Sequence, residues 1–383
     1  MMTQQSAAYF NGLQDELVRL IQALCRIPAP SGREEKRAAF CADWLRAHGA
    51  RGVYIDSANN VLFPWNCSGR EKIILFCAHT DTVFPDTEPM PFLNDGEYLR
   101  SPGVGDDTAA VAMLLTVAGY VAQKGICSDY GILFAANAGE EGLGNLRGIR
   151  QIMDDYGDKI VEVYAFDATY DHVFNHCVGS ERYRVLLRTE GGHSFYDFGN
   201  RNAIAAASAL ITQLYQQEVP QLGNGKTTYN VGVIEGGCSV NTVAQEAEFL
   251  YEYRSDDHAC LCTMRQKFRQ VLEDFRAKNL AEISVETVGI RPCANLHNTA
   301  RLQEMTQRAI AITEKYTGGK CEAASASTDC NVPMSRGIPA VCMGCYMGRG
   351  AHTREEMIRI DSLCTGLKIV AETVLDFVDC GAG

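Results

Sequence analysis

Two apolar runs that end in acidic and imidazole side chains constrain this chain more than any other feature. Ile73 to Cys77 in IILFCAHTDTV and Gly131 to Ala136 in GILFAANAGEEGLGNLRGI have the length, branching and unbroken apolarity of strands buried on both faces. Such strands belong to α/β sheets, which bind ligands beyond the carboxyl ends of their strands. Those ends deliver His79 and Asp81 in the first run, and Glu140 and Glu141 in the second; a similar segment, IVEVYAFDAT, ends in Asp167.

Each piece has a plain reading and a chemical one. In His79-x-Asp81 the imidazole can take a metal through one nitrogen while the carboxylate fixes the other; a lone His after a strand is more often a hydrogen-bonded loop residue. In SPGVGDDTAAVAMLLTVAGYVAQ, Asp106 and Asp107 stand before an Ala-rich helix. An N-cap followed by a first-turn acid explains an isolated Asp pair, but no cap needs the two glycines Gly103 and Gly105 before it. Neighbouring side chains on extended backbone point to opposite sides. Of Glu140 and Glu141, one can therefore bind metal while the other faces water as a general base; a solvated Glu pair is the simpler alternative.

Taken with later segments, the pieces form a series: His79-Thr80-Asp81, Gly105-Asp106-Asp107, Gly139-Glu140-Glu141, Asp167, Gly191-Gly192-His193-Ser194, Ser239-Val240-Asn241-Thr242, Ser327-Thr328-Asp329 and Gly350-Ala351-His352-Thr353. In this order they resemble the two-zinc exopeptidases and amidohydrolases that include peptidase T, the glutamate carboxypeptidases, aminoacylase and succinyl-diaminopimelate desuccinylase. The texture is closest to peptidase T-like members. The resemblance implies a three-layer α/β/α catalytic domain of zinc-exopeptidase type with a smaller inserted α+β lid and dimerisation domain. It makes Asp106 the carboxylate bridging two zinc ions, with His79 and Asp167 on one ion and Glu141 and His352 on the other; Co or Mn can substitute. Asp81 supports His79, and Glu140 is the catalytic base that deprotonates a metal-bridging water. His/carboxylate ligation without Cys suits catalytic zinc. The same family places a cis peptide between Asp106 and Asp107. One departure is Thr108, where many relatives carry Lys.

The texture changes between about residues 180 and 290. RYRVLLRTEG, NAIAAASALITQLYQQ, TTYNVGVIEGG, EAEFLYEYRSD, LCTMRQKFRQVLEDFRAKN and AEISVETVGI read as strand, helix, strand, strand, helix, strand. Ile204, Leu210, Ile211 and Leu214 fall largely on one helix face, and Phe249, Tyr251 and Tyr253 alternate with Glu248, Leu250 and Glu252 as in a strand. The expected divisions are 1–179 and 291–383 for the catalytic domain and 180–290 for the lid. By resemblance, His193 stabilises the oxyanion of the tetrahedral intermediate, in its own subunit or as a residue lent to a partner's site, and Asn241 contacts substrate. Arg254 is a candidate bidentate clamp on a substrate carboxylate, with a surface salt bridge as the alternative. Asp329 orients substrate or His352, or caps its loop.

Composition limits the rest. With 383 residues and 46% hydrophobic content the chain exceeds one average domain, and a net charge of −12 argues against nucleic acid or anionic membrane as partner. The N-terminus is polar and then amphipathic, with Leu17, Leu20, Ile21 and Leu24 on a face expected to pack on the sheet, and no apolar stretch reads as long enough to span a bilayer. Sixteen cysteines without an export signal imply reduced thiols in a cytoplasm. Cys342-x-x-Cys345 lacks a second pair and reads as buried thiols. His172 and His176 have helical ligand spacing but read as a decoy. The expected function is zinc-dependent hydrolysis of an amide bond in short peptides, as an aminopeptidase or tripeptidase and a homodimer. N-acyl amino acid hydrolysis or carboxypeptidase action is the enzymatic alternative, and a zinc-binding scaffold the non-enzymatic one.

Overall fold

Residues 2–124, 126–294 and 299–378 are described by the computed structural model. The chain divides into two compact units, one of Met1–Cys177 with Leu296–Gly383 and one of Val178–Asn295.

The first unit is built on an eight-stranded mixed sheet. Its spatial order is Tyr54–Ile55, Val61–Trp65, Gly131–Asn137, Ile73–His79, Ile160–Phe166, Ala340–Met343, His172–Cys177 and Glu322–Ala326. The Ile73–His79 strand lies parallel to both Gly131–Asn137 and Ile160–Phe166, and Ala340–Met343 lies parallel to Ile160–Phe166. Four strands therefore end on the same side of the sheet. Every residue of Ile73–His79 and Gly131–Asn137 is buried, as continuous apolar runs require when helices cover the sheet. His79 is itself the last residue of its strand.

The Ala110–Gln123 helix is apolar almost all round because it packs against three of these strands and against neighbouring helices. With the irregular turn before it, Val104–Gln123 is 20 residues long and apolar enough to cross a membrane by length and composition, contrary to the expectation that no stretch would be. It is a core element instead, with 94% of its apolar window buried inside the protein. Leu17, Leu20, Ile21 and Leu24 are all buried as expected, but their helix packs chiefly on the Val104–Gln123 segment and on Ile360–Leu375, the helical layer over the sheet.

The second unit is a four-stranded antiparallel sheet in the order Thr227–Gly236, Glu246–Ser255, Gly179–Arg188, Glu282–Arg291, with the helices Ala203–Tyr215 and His258–Ala277 packed on it. Phe249, Tyr251 and Tyr253 alternate into its core beside Leu210, Leu214, Phe268 and Phe275. Ile204 lies outside that core, 40% exposed, and small residues at Ala203, Ala206 and Ala207 make the buried face in its place. Close packing of a helix on a sheet favours the short side chain.

Candidate metal centre

Three strand ends and two loops of the first unit bring their polar residues together. The turn after Gly103, which has φ +73° as glycine readily allows, leads through a cis Asp106–Asp107 peptide into the Ala110–Gln123 helix. The two acids diverge there. Asp107 is fully buried and accepts a hydrogen bond from the His79 amide at 2.9 Å. Asp106 faces the other way and stands between two imidazoles: Oδ1 is 3.1 Å from His79 Nε2 and Oδ2 is 3.0 Å from His352 Nε2. His352 Nε2 is also 3.2 Å from Glu141 Oε1, and Asp167 Oδ2 is 3.9 Å from His79 Nε2. The five side chains expected as ligands thus form one connected cluster centred on Asp106.

Ligand atoms of His79, Asp106 and Glu141 lie within 4.8 Å of one another, a group that can hold a metal ion. The donor set also fits such an ion on unmet polarity. His79 Nε2 and Glu141 Oε1 are buried and make no aligned hydrogen bond among the described residues, a state that native interiors avoid unless another partner is supplied. Electrostatics point the same way. Burial, and then the charge of Asp106, pushes the Asp167 carboxyl well above its ordinary range. Burial likewise raises Glu141 to about 7, even though the neighbouring His352 imidazole opposes it. His352 is held up to about 10 by the Asp106 and Glu141 carboxylates that its ring faces. Crowded acids that resist ionisation, flanked by imidazoles that hold protons, are what a cation would relieve.

Asp81 serves more than His79. Its carboxylate is 3.5 Å from His79 Nδ1, which lies closer to the Asp81 carbonyl oxygen at 3.2 Å. Its firm partners are the amides of Glu140 and Glu141, both at 2.9 Å, and the Ser31 hydroxyl at 2.6 Å. Burial pushes Asp81 up, but hydrogen bonds from His79, Ser31 and the Glu141 amide prevail and hold it below the carboxylate range. One buried carboxylate therefore fixes the loop that carries both glutamates. Glu140 is itself only 5% exposed.

Two further residues escaped sequence reasoning. Arg37 is buried beneath the site and donates to the carbonyls of Thr80 at 2.9 Å, Leu24 at 3.1 Å and Ile27 at 2.7 Å, with Thr108 Oγ1 at 3.4 Å. Glu356, buried and raised to about 7 chiefly by desolvation, accepts from the amides of Gly103, Gly105 and Asp106. The acid four residues after His352 was its only visible sequence signal.

Asp329 is 3% exposed and accepts from Asn137 Nδ2 at 2.8 Å; burial, with the Glu140 charge, raises it to about 7. The Asn331 side chain, rather than Asp329, accepts from the Thr328 amide at 2.9 Å and caps that loop. Cys342 and Cys345 are buried free thiols. His172 and His176 fall on a strand, where four residues span about 13 Å, so their helical spacing does not bring them together.

The remaining expected residues lie in the second unit. His193 is exposed, and its Nδ1 accepts from the amides of Phe195 at 3.2 Å and Tyr196 at 3.5 Å. An accepting Nδ1 leaves Nε2 as the protonated donor of a neutral ring. The carbonyl of Asn241 receives the Ser194 amide at 3.0 Å, and the Asn241 side chain is exposed. Arg254 sits across from Ser180 in the sheet, and its Nε is buried without a hydrogen-bond partner among the described residues.

Comparison with known proteins agrees with this architecture. Succinyl-diaminopimelate desuccinylase of Corynebacterium glutamicum is 24% identical over 360 residues, 92% of this chain and 94% of that protein. A tripeptidase from Staphylococcus aureus shares the fold with a TM-score of 0.73 at 23% identity, covering 94% of this chain and 98% of that one. The YxeP protein of Bacillus subtilis, described as a dinuclear metal binding peptidase, does so with a TM-score of 0.64 at 14% identity, covering 96% and 99%. The model of peptidase family M20/M25/M40 matches residues 75–376. The chain belongs to that family and is a hydrolase.

Proposed function

We propose that this protein is a two-zinc amide hydrolase that removes an N-terminal residue from short peptides, as a tripeptidase or aminopeptidase. The observation that supports the reading most is the Asp106 carboxylate, which offers one oxygen to His79 and the other to His352 at 3.1 and 3.0 Å. A carboxylate so divided suits two ions rather than one. His79 and Asp167 would hold one zinc, Glu141 and His352 the other, with Asp106 common to both. When bound, the pair supplies Lewis acidity to the scissile carbonyl and lowers the pKa of water to about 7.

The chain's own residues do the rest. Glu140, held in place through its amide by Asp81, takes the proton of the attacking water and returns it to the departing amine. His193, with Nε2 as donor, stabilises the oxyanion, from its own subunit or a partner's. Arg254 and Asn241 bind the peptide's polar ends, and Asp329 positions the Glu140 loop through Asn137. Residues 180–290 act as lid and dimerisation domain. Dimerisation is supported by the single pairing of the edge strand Thr227–Gly236 and by Phe195, Tyr196 and Phe198, which are 79%, 82% and 89% exposed. A monomer in sedimentation velocity at micromolar concentration would refute the dimer. The buried thiols of Cys25, Cys41, Cys77 and Cys330, none in a disulfide, support a cytoplasmic setting, which recovery of the protein outside the cytoplasm would overturn.

The deciding experiment offers zinc-loaded enzyme a panel of di- and tripeptides, N-acyl amino acids and C-terminal glutamate peptides, read by mass spectrometry. Release of the N-terminal residue from tripeptides, abolished in Glu140→Gln while zinc binding persists, is the expected result. Cleavage confined to acyl amino acids would replace the peptidase reading with the amidohydrolase one, which the similarity to a desuccinylase favours. Turnover retained by Glu140→Gln would remove Glu140 as base, and a silent panel would favour a zinc-binding scaffold.

A further inference from the structure

We infer that Glu356 is the positioning residue of the metal centre, clamping the backbone turn that carries Asp106 and tying it to the loop that carries His352. The inference rests on the metal-dependent reading above. Glu356 is 2% exposed, and its carboxylate collects three consecutive-turn amides: Gly103 on Oε2 at 2.7 Å, and Gly105 and Asp106 on Oε1 at 2.8 and 2.9 Å. Backbone N–H groups converging on one point form an anion nest. Without the carboxylate their dipoles repel one another and three buried donors lose their acceptor.

The turn is anchored at its ends, by the Val104 amide on the Ser101 carbonyl at 3.1 Å and by Asp107 on the His79 amide at 2.9 Å, and Glu356 holds the stretch between them. Two of its residues are glycine, and it cannot relax away from Glu356, because even a Cβ at Gly105 would stand 2.7 Å from the Tyr346 ring. The turn is trapped between that ring and the carboxylate. Glu356 is equally fixed from behind. Its carbonyl accepts the Ser101 amide at 3.2 Å, and the next residue, Met357, pairs with Arg100 in an antiparallel ribbon. His352 sits four residues upstream, on the Gly350–Thr353 turn closed by a 2.9 Å hydrogen bond. The separation of Asp106 from His352, 3.0 Å between Oδ2 and Nε2, is thus set through one side chain joining segments some 250 positions apart.

The substitution Glu356→Gln separates this role from mere bulk. Its oxygen can keep Gly105 and Asp106, but its NH₂ must face the Gly103 amide, donor against donor. The test titrates wild type, E356Q and E356D with zinc alone against a chromophoric chelator. It also measures kcat and KM at saturating zinc, with circular dichroism to confirm folding. The control is Glu372→Gln, another buried carboxylate, bound by Lys315 far along the chain. The expected result is zinc affinity weakened by about 10- to 100-fold in E356Q, and kcat lowered at saturation with KM within twofold, neither of which E372Q produces. E356D, one methylene too short, should fall the same way and serves if E356Q does not fold. Folded E356Q with wild-type zinc affinity and kcat overturns the inference, as does an equal loss in E372Q. A wild-type chain that binds no zinc overturns the metal centre itself, and this inference with it.

Discussion

Asp81 is the residue whose replacement tests the construction of the site most sharply. Asp81→Asn keeps shape and volume but turns one acceptor oxygen into a donor. Oδ2 carries two short hydrogen bonds, from the Glu141 amide at 2.9 Å and Ser31 at 2.6 Å, while Oδ1 carries one, from the Glu140 amide at 2.9 Å, with His79 Nδ1 farther off at 3.5 Å. The carboxamide will settle with its oxygen on the doubly bonded side, so that its NH₂ opposes the Glu140 amide. One charge-assisted hydrogen bond is lost, about 1.5–3 kcal/mol, and the loop bearing Glu140 is pushed from its place. That energy corresponds to roughly a 10- to 150-fold change in an equilibrium constant. Denaturant unfolding of the metal-free protein should register it as a lower midpoint at unchanged slope. Zinc titration and steady-state kinetics should then register weaker zinc binding through His79 and a lower kcat through Glu140. If D81N unfolds at the wild-type midpoint and turns over at the wild-type rate, Asp81 does not organise the loop.

Two other consequences are independent of metal. In the second unit the Glu181 carboxylate is buried but receives Arg265, Tyr183 and Tyr253; burial raises its pKa, and these hydrogen bonds overcome it to leave the group below its ordinary 4.5. A depressed folded-state pKa stabilises the fold above 4.5 and loses that contribution as pH falls below it. Thermal melts from pH 6 to 3 should therefore show a steeper acid loss in wild type than in Glu181→Gln. The variant should be less stable by about 3 kcal/mol at neutral pH; parallel pH profiles would refute the assignment. Gly366, in the Ile360–Leu375 helix, has no room for a side chain, since a Cβ there would lie 1.5 Å from the Cys345 carbonyl oxygen. Gly366→Ala should destabilise by about 3 kcal/mol or more, and a melting temperature within a degree of wild type would contradict the packing.

What could be read from the sequence, and what could not, divides along the range of the interactions. His79, Glu140, Glu141 and Asp167 were legible because largely apolar runs mark the buried strands, so an imidazole or carboxylate at or just past such a run's end is conspicuous; Glu162, buried within Ile160–Phe166, shows that the rule is not strict. The second unit was legible for a related reason, since Phe249, Tyr251 and Tyr253 keep the period of two that a one-sided sheet imposes. Ile204 was misread because helical periodicity marks an apolar stripe without fixing its exact centre, and the buried face is centred on Ala203, Ala206, Ala207, Leu210 and Leu214. The Val104–Gln123 segment was misjudged because the same apolarity serves a lipid or a protein interior. Arg37, Glu356 and the principal task of Asp81 were invisible for a different reason. Each is a buried charged group satisfied by main-chain atoms, and main-chain partners leave no signature in side-chain identity. A ligand shows in the sequence because its chemistry is particular; the groups that hold the ligand's backbone can be identified only once the fold has brought those amides and carbonyls to them. The residues that set geometry are therefore the ones a motif omits, and at this centre they lie in the gaps between the motifs.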